Sequence, residues 1–418
     1  GNGTITLASN ANGTFNQTGG ENTYTFTVTT PTTSGMQLRI TRSDRTDPVR
    51  NIRVIMPGYV GTYMTQPFYP PFVSKLTGFG VIRFMEWIRT NGNDRLVTWS
   101  DRVGTDHVSQ AGPKGASFDY AIQLSNTVGA DPWLTIPHRA DNGFITELAR
   151  QVKRDLSPQR KVYVEYSNEL WNGMFEQTTY VRDQGLALGL GPDSTLAGRR
   201  YVAKRSAEIF KIFEDEFGVD RTRVVKVLAG QAASANVASQ LIDAFRQPSI
   251  NGVPINPLNV DFDALAIAPY FGNGLADSIV TSGQVNTITT AQILDLAVAT
   301  YLPQAISRMQ ANKVVADQYN KPMIAYEGGQ HIVATGANVS NTTLIQKLQA
   351  ADRDPRMYDI YRSYFTAWFN AGGGVFAHYS FAQTPNEYGS WGAMEHLGQS
   401  NAEAHKYRAL MDIVALPD

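Results

Sequence analysis

The chain has 418 residues, with 36 Lys and Arg against 37 Asp and Glu, a formal charge of −1, and no cysteine. Disulfides, thiolate metal sites and cysteine nucleophiles are therefore excluded. Without a Lys/Arg block there is no electrostatic footprint for nucleic acid or an anionic membrane, and no run approaches the ~18 apolar residues of a membrane span.

In chain order, residues 1 to 46 come first. Gly1 opens into Asn/Thr/Gly-rich sequence without a basic-then-apolar leader, which reads as a mature or trimmed chain. The polar vocabulary, few Lys and triplets such as Asn12-Gly13-Thr14 point to a secreted, extracellular protein. Thr4–Leu7, Asn22–Val28 and Met36–Thr41 alternate polar and apolar residues between turn signals, so three short antiparallel strands are expected. They form an N-terminal β-strand segment, 1–46, either an accessory or the remnant of an upstream β module.

From Val49 onward, short β-branched or apolar runs alternate with helical stretches. Eight strands are expected: Asn51–Met56, Val81–Trp87, Pro132–Pro137, Lys161–Ser167, Arg223–Ala229, Ala264–Ala268, Met323–Tyr326 and Gly374–Ser380. Helical periodicity is clearest in Phe144–Leu156, Arg199–Phe217, Ala235–Phe245, Ala291–Tyr319, Tyr358–Asn370 and His405–Val414. Eight strands with interleaved helices predict an α/β fold, a (β/α)8 TIM barrel over 47–418. A doubly wound sheet is the rival, but no strand is followed by the phosphate-binding glycine fingerprint.

In such a barrel the active site lies where the strands end. If the run Val162–Trp171 stays extended, Tyr163, Glu165, Ser167 and Glu169 share one face, with Glu169 at the mouth. In Met323–Gly329, Ala325 and Glu327 share a face and two glycines end the strand. These fourth and seventh strands face each other across a barrel. Two carboxylates about 5–5.5 Å apart perform retaining glycoside hydrolysis, one as acid and then base, the other as nucleophile. The roles need unequal pKa values, and Trp171 and Arg83 are placed to create the difference.

Asn168-Glu169 closing strand four and Glu327 closing strand seven resemble the clan A glycoside hydrolases over roughly residues 48–418. The resemblance implies that Glu169 is the acid/base, Glu327 the nucleophile and Asn168 the donor to the sugar 2-hydroxyl. Arg83 in Arg83-Phe84-Met85-Glu86-Trp87 and Tyr270 in Ala268-Pro269-Tyr270 match the clan's arginine and tyrosine that hold the nucleophile. The clan's strand-eight tryptophan is replaced by the run His378–Phe381, and the histidine two residues before Tyr270 is Ala268.

Other candidates are weighed against plainer roles. Glu165 is expected to be a buried structural carboxylate paired with a base such as His138 or Arg139, and Glu86 to form an ion pair with Arg83. His138 and His378 are expected to donate to substrate hydroxyls or to Glu327, with a satisfied core role as the alternative. Trp133 reads as core, whereas Trp87, Trp171 and Trp391 read as sugar-stacking subsites. The expected function is retaining hydrolysis of a neutral β-linked polysaccharide (β-glucan, mannan or xylan), by a monomer needing no cofactor. Its partners are then a polysaccharide or oligosaccharide, with neither nucleic acid nor membrane. The alternatives are a non-catalytic carbohydrate-binding barrel and a metal-dependent hydrolase using His138, His331 or His378 with Asp141 or Asp263.

Overall fold

The computed structural model describes residues 3–9, 12–17, 24–30 and 36–416, in two compact units, Gly1–Pro67 and Phe68–Asp418. The break thus falls later than the expected one after residue 46. In the first unit, β1 (Gly3–Ser9) pairs antiparallel with β4 (Met36–Ser43), and β2 (Asn12–Gln17) with β3 (Tyr24–Thr30). Among the described residues there are four strands in place of the three expected, and the first two residues of the expected Asn22–Val28 lie outside them. The expected strand Asn51–Met56 is absent. Asn51 takes a left-handed turn (φ 57°), and no described strand pairs with the segment; alternation without a ladder partner does not make a strand. Its Ile52, Val54 and Met56 are exposed.

The second unit is built on one parallel sheet of seven strands. These are β5 (Val81–Arg83), β6 (Asp131–Ile136), β7 (Val162–Tyr166), β8 (Val224–Ala229), β11 (Ala264–Ile267), β12 (Met323–Ala325) and β13 (Gly373–Phe376). They neighbour one another in chain order, and the small antiparallel pair β9 (Ser249–Ile250) and β10 (Val253–Pro254) lies outside the sheet. Every crossover carries helix: Phe118–Val128 leads to β6, Asn142–Asp155 to β7, Glu176–Ala187 and Ser194–Phe217 to β8, and Ala235–Phe245 to β11. Helix ends follow local chemistry. Asp141 caps Asn142–Asp155 by accepting from the Phe144 N–H at 2.6 Å, and Gly129 ends Phe118–Val128 in the left-handed conformation (φ 73°).

The sheet curls on itself. Arg83, on edge strand β5, bonds Glu327 beyond β12, although β6, β7, β8 and β11 lie between them in the sheet order. The result is a nearly closed barrel of the (β/α)8 type. Between the edges β5 and β13 runs a cavity of about 1010 Å3, lined among others by Phe72, Leu76, Ile82, Val375 and Phe376. Two apolar layers hold the unit: a large one between sheet and helices, and a lumen cluster of Trp133, Val227, Ala264, Ala266, Ile324 and Tyr326.

Six of the eight expected strands, Pro132–Pro137 through Gly374–Ser380, are present with shifted ends, and Val81–Trp87 stops at Arg83 because residues 85–89 turn. Ala235–Phe245 and His405–Val414 have the expected ends. The expected helix Ala291–Tyr319 divides into Thr290–Leu296, a π-helical turn Ala297–Tyr301 and Leu302–Gln318.

Candidate active site

The site is assembled around one cation. Arg83 closes β5 with a side chain only 4% exposed. Its Nη1 donates to Glu327 Oε1 at 2.9 Å, its Nη2 to Glu165 Oε2 at 2.9 Å and to Asn168 Oδ1 at 2.8 Å, and its Nε to Glu165 Oε2 at 3.1 Å. The guanidinium carbon lies 5.1 Å from the centre of the Tyr326 ring and 5.7 Å from that of Trp133. Burial works against its charge, and Glu165 and Glu327 overcome that, raising its pKa.

Glu165 lies below the mouth, 1% exposed, and its Oε2 also accepts from Trp133 Nε1 at 2.8 Å. Burial pushes its pKa up to about 7 against the opposing pull of Arg83. The base beside it is Arg83, not His138 or Arg139. The sequence points to His138 and Arg139 because they share the end of β6, but β5 and β7 both aim into the lumen and meet there.

Past β7 the backbone leaves the extended conformation: Ser167 (φ 57°) and Glu169 (φ 43°) are both left-handed. These turns, and not strand alternation, carry Glu169 to the mouth. Its Oε2 accepts from Asn172 Nδ2 at 2.9 Å, and Tyr326 Oη–H reaches Oε1 at 3.4 Å. Burial first, and then the charge of Glu327, push its pKa up to about 7. Asn168, nearly fully buried, accepts from Arg83 and donates Nδ2 to Asn91 Oδ1 at 3.0 Å. Gln177 braces it by donating to Asn91 Oδ1 and to the Asn168 carbonyl.

Past β12 the chain bends at Tyr326 and Glu327. Ile324 and Tyr326 pack in the lumen, whereas Ala325 packs toward the helices, so the expected shared face of Ala325 and Glu327 is not observed. The bend brings Glu327 round to the lumen mouth. It accepts from Arg83 and, at 3.0 Å, from Tyr270 Oη–H. Burial raises its pKa, and Arg83 and then Tyr270 resist that rise. Glu169 has only neutral donors, so of the two carboxylates Glu327 gives up its proton first.

The remaining expected residues divide. Tyr270 is in place; its ring meets Trp391 at 5.7 Å and His331 at 5.8 Å, so Trp391 stands beside the mouth. Trp171 Nε1 donates to Tyr326 Oη at 3.3 Å. Trp87 packs with Phe72 and Phe84. The histidines are not brought to the carboxylates. His138 is buried against Tyr180, with neither ring nitrogen hydrogen-bonded, and burial lowers its pKa to about 4. His378 pairs through Nε2 with Tyr361 Oη at 3.0 Å, and burial lowers its pKa to about 3. Glu86 does not pair with Arg83; it is exposed and accepts from Tyr379 Oη–H at 3.0 Å. Among the described residues, no group of three or more His, Asp or Glu could hold a metal ion, and no helix is long and apolar enough to cross a membrane.

Sequence reasoning missed Tyr326, Asn91, Asn172 and Gln177. Asn172, three residues after Glu169, is within reach of a turn and could have been found from spacing. Asn91 and Gln177 come from a loop and a helix start that carry no pattern.

No protein-family model and no curated protein matches the chain. Among solved structures, it is similar to a native Bacteroidetes-affiliated GH5 cellulase linked with a polysaccharide utilization locus (11% identity, TM-score 0.42, covering 83% of each chain). It is also similar to a GH5-4 broad-specificity endoglucanase from Bacteroides salanitronis (11% identity, TM-score 0.42, covering 84% of this chain and 86% of that one). A GH5 xyloglucan-specific endo-β-1,4-glucanase from a metagenomic library, in complex with cellotriose, is matched at 11% identity and TM-score 0.37, over 83% of this chain and 88% of that one.

Proposed function

We propose that the chain is a secreted, retaining glycoside hydrolase acting within a neutral β-linked polysaccharide such as a β-glucan, mannan or xylan. Glu327 is the nucleophile and Glu169 the acid/base. The observation that carries this reading is the unequal donor sets of the two carboxylates: a buried guanidinium and a phenol on Glu327, neutral donors only on Glu169.

In the first step a carboxylate oxygen of Glu327 bonds to the anomeric carbon. The bond to the glycosidic oxygen breaks, and that oxygen leaves with its electron pair and takes the proton of Glu169. In the second step Glu169 removes a proton from water, whose oxygen attacks the same carbon and releases Glu327 as carboxylate. Every atom and proton is restored without a cofactor. Trp391 and Trp171, beside Tyr270 and Tyr326, offer faces on which sugar rings stack. The near-zero net charge fits an uncharged chain of sugars.

The test is reducing-sugar release over a panel of β-glucan, mannan and xylan. Glu327→Ala is expected to lower turnover on the order of 10⁴-fold. Glu169→Ala is expected to lose far more on polysaccharide than on aryl glycosides with good leaving groups, and azide should restore the latter. Undiminished hydrolysis by Glu327→Ala removes the nucleophile assignment, and equal losses on both substrate types by Glu169→Ala remove the acid/base assignment.

A further inference from the structure

Tyr326 enters the reading above only as one of the neutral donors to Glu169, yet its hydroxyl has a second acceptor. The ring belongs to the lumen cluster and is fully buried. The oxygen receives the indole N–H of Trp171 at 3.3 Å, and two acceptors lie within its reach: Glu169 Oε1 at 3.4 Å and the Gly230 carbonyl at 3.3 Å. A phenol has one proton to donate. It cannot serve both acceptors at once.

We propose that Tyr326 is a positioning residue for Glu169, its single proton turning to Glu169 Oε1 when that carboxylate is charged and to the Gly230 carbonyl when Glu169 carries the proton. Hydrogen bonds to an ionised acceptor are the stronger kind, so the charged form captures the phenol. The protonated form needs no donor at that oxygen, and Gly230 takes it up. Trp171, donating to the phenol oxygen, polarises the O–H and strengthens whichever bond it makes. The groups that face Glu169 are Glu327 past β12, Arg83 at the end of β5, Tyr326 and Tyr270, with Asn172 on its own turn. Among the donors to Glu169, Tyr326 is the one with a second acceptor, 3.3 Å away against 3.4 Å to Glu169. Asn172 gives Glu169 the same bond in either state, and the phenol is what distinguishes them.

The inference rests on the acid/base reading of Glu169, but its test does not require turnover. In protein labelled with 13C at glutamate carboxyls, the Glu169 resonance is assigned by its loss in Glu169→Gln and followed through a pH titration. Tyr326→Phe keeps the ring and removes the hydroxyl. The Glu169 midpoint is expected to rise by about half to one pH unit, and Trp171→Phe should move it the same way by less. A midpoint unmoved or lowered in Tyr326→Phe overturns the proposal. Should that variant fail to fold, Trp171→Phe decides by the same criterion. An unmoved midpoint beside selective aryl-glycoside activity in Glu169→Ala sinks only the role of Tyr326; a raised midpoint in a protein that cleaves no glycoside sinks only the enzymatic reading.

Discussion

The strand ends after β7 and β12 each bring one carboxylate to the same mouth, and they do it differently. After β7 two non-glycine residues, Ser167 and Glu169, take left-handed backbone, and the carboxylate meets neutral donors. After β12 the chain bends and continues into Gly328 and Gly329, the latter at φ 136°, and the carboxylate meets a guanidinium. One end holds two left-handed non-glycine residues and leaves its acid without a charged partner; the other bends at Tyr326 and Glu327 without any left-handed non-glycine residue, runs on into glycine, and neutralises its acid. The difference teaches that chemical inequality between two identical side chains is set by what each turn places beside them.

Arg83→Met removes the charge that separates the two ends, and it should have the largest effect. Glu165 and Glu327 would lose a buried partner, a change expected to cost about 3–5 kcal/mol, read from urea denaturation at neutral pH. A loss below about 1 kcal/mol would mean that the guanidinium does not hold the lumen together.

The pH dependence of stability comes next. Glu165 and Glu169 both have folded pKa values of about 7, above the unfolded 4.5. The native state therefore binds more protons than the unfolded chain between those values, and stability falls as pH rises through that window. For the fully buried Glu165 this amounts to about 3 kcal/mol. Glu165→Gln should flatten the slope of unfolding free energy between pH 4.5 and 7. A slope that is already flat or rising in the wild-type barrel contradicts the assignment.

The smallest effects test the backbones themselves. A methyl group added at Gly329 would meet the His378 ring and the Tyr361 hydroxyl at a φ that L-residues avoid, so Gly329→Ala should destabilise by about 2 kcal/mol. Ser167→Gly should do the reverse, by about 1 kcal/mol. It relieves a left-handed residue and removes a buried hydroxyl that has no hydrogen-bond partner. Equal thermal shifts of the same sign in both variants would erase the contrast between the strand ends.

Much of this arrangement was legible in the sequence, for reasons that differ by residue. Parallel strands buried on both faces read as apolar runs, so β6, β7, β8, β11 and β12 stand out, and polar residues just beyond them draw attention to Asn168, Glu169 and Glu327. Parity did not carry past the strand ends. Left-handed residues and a bend reset the alternation, which is why Ala325 and Glu327 do not share the expected face. Partnerships across the lumen were equally hidden: Glu165 has basic neighbours near the end of β6, yet its partner comes from β5 on the other side. The segment Asn51–Met56 shows the converse error, since its pattern is strand-like but nothing pairs with it.

Glu165 is nearly fully buried below the mouth, and it grips the same guanidinium that steadies Glu327. The acidity of the opening can therefore be retuned from underneath, by a side chain that solvent barely reaches. An engineer could shift the protonation of the two mouth carboxylates there while leaving the residues that line the mouth unchanged.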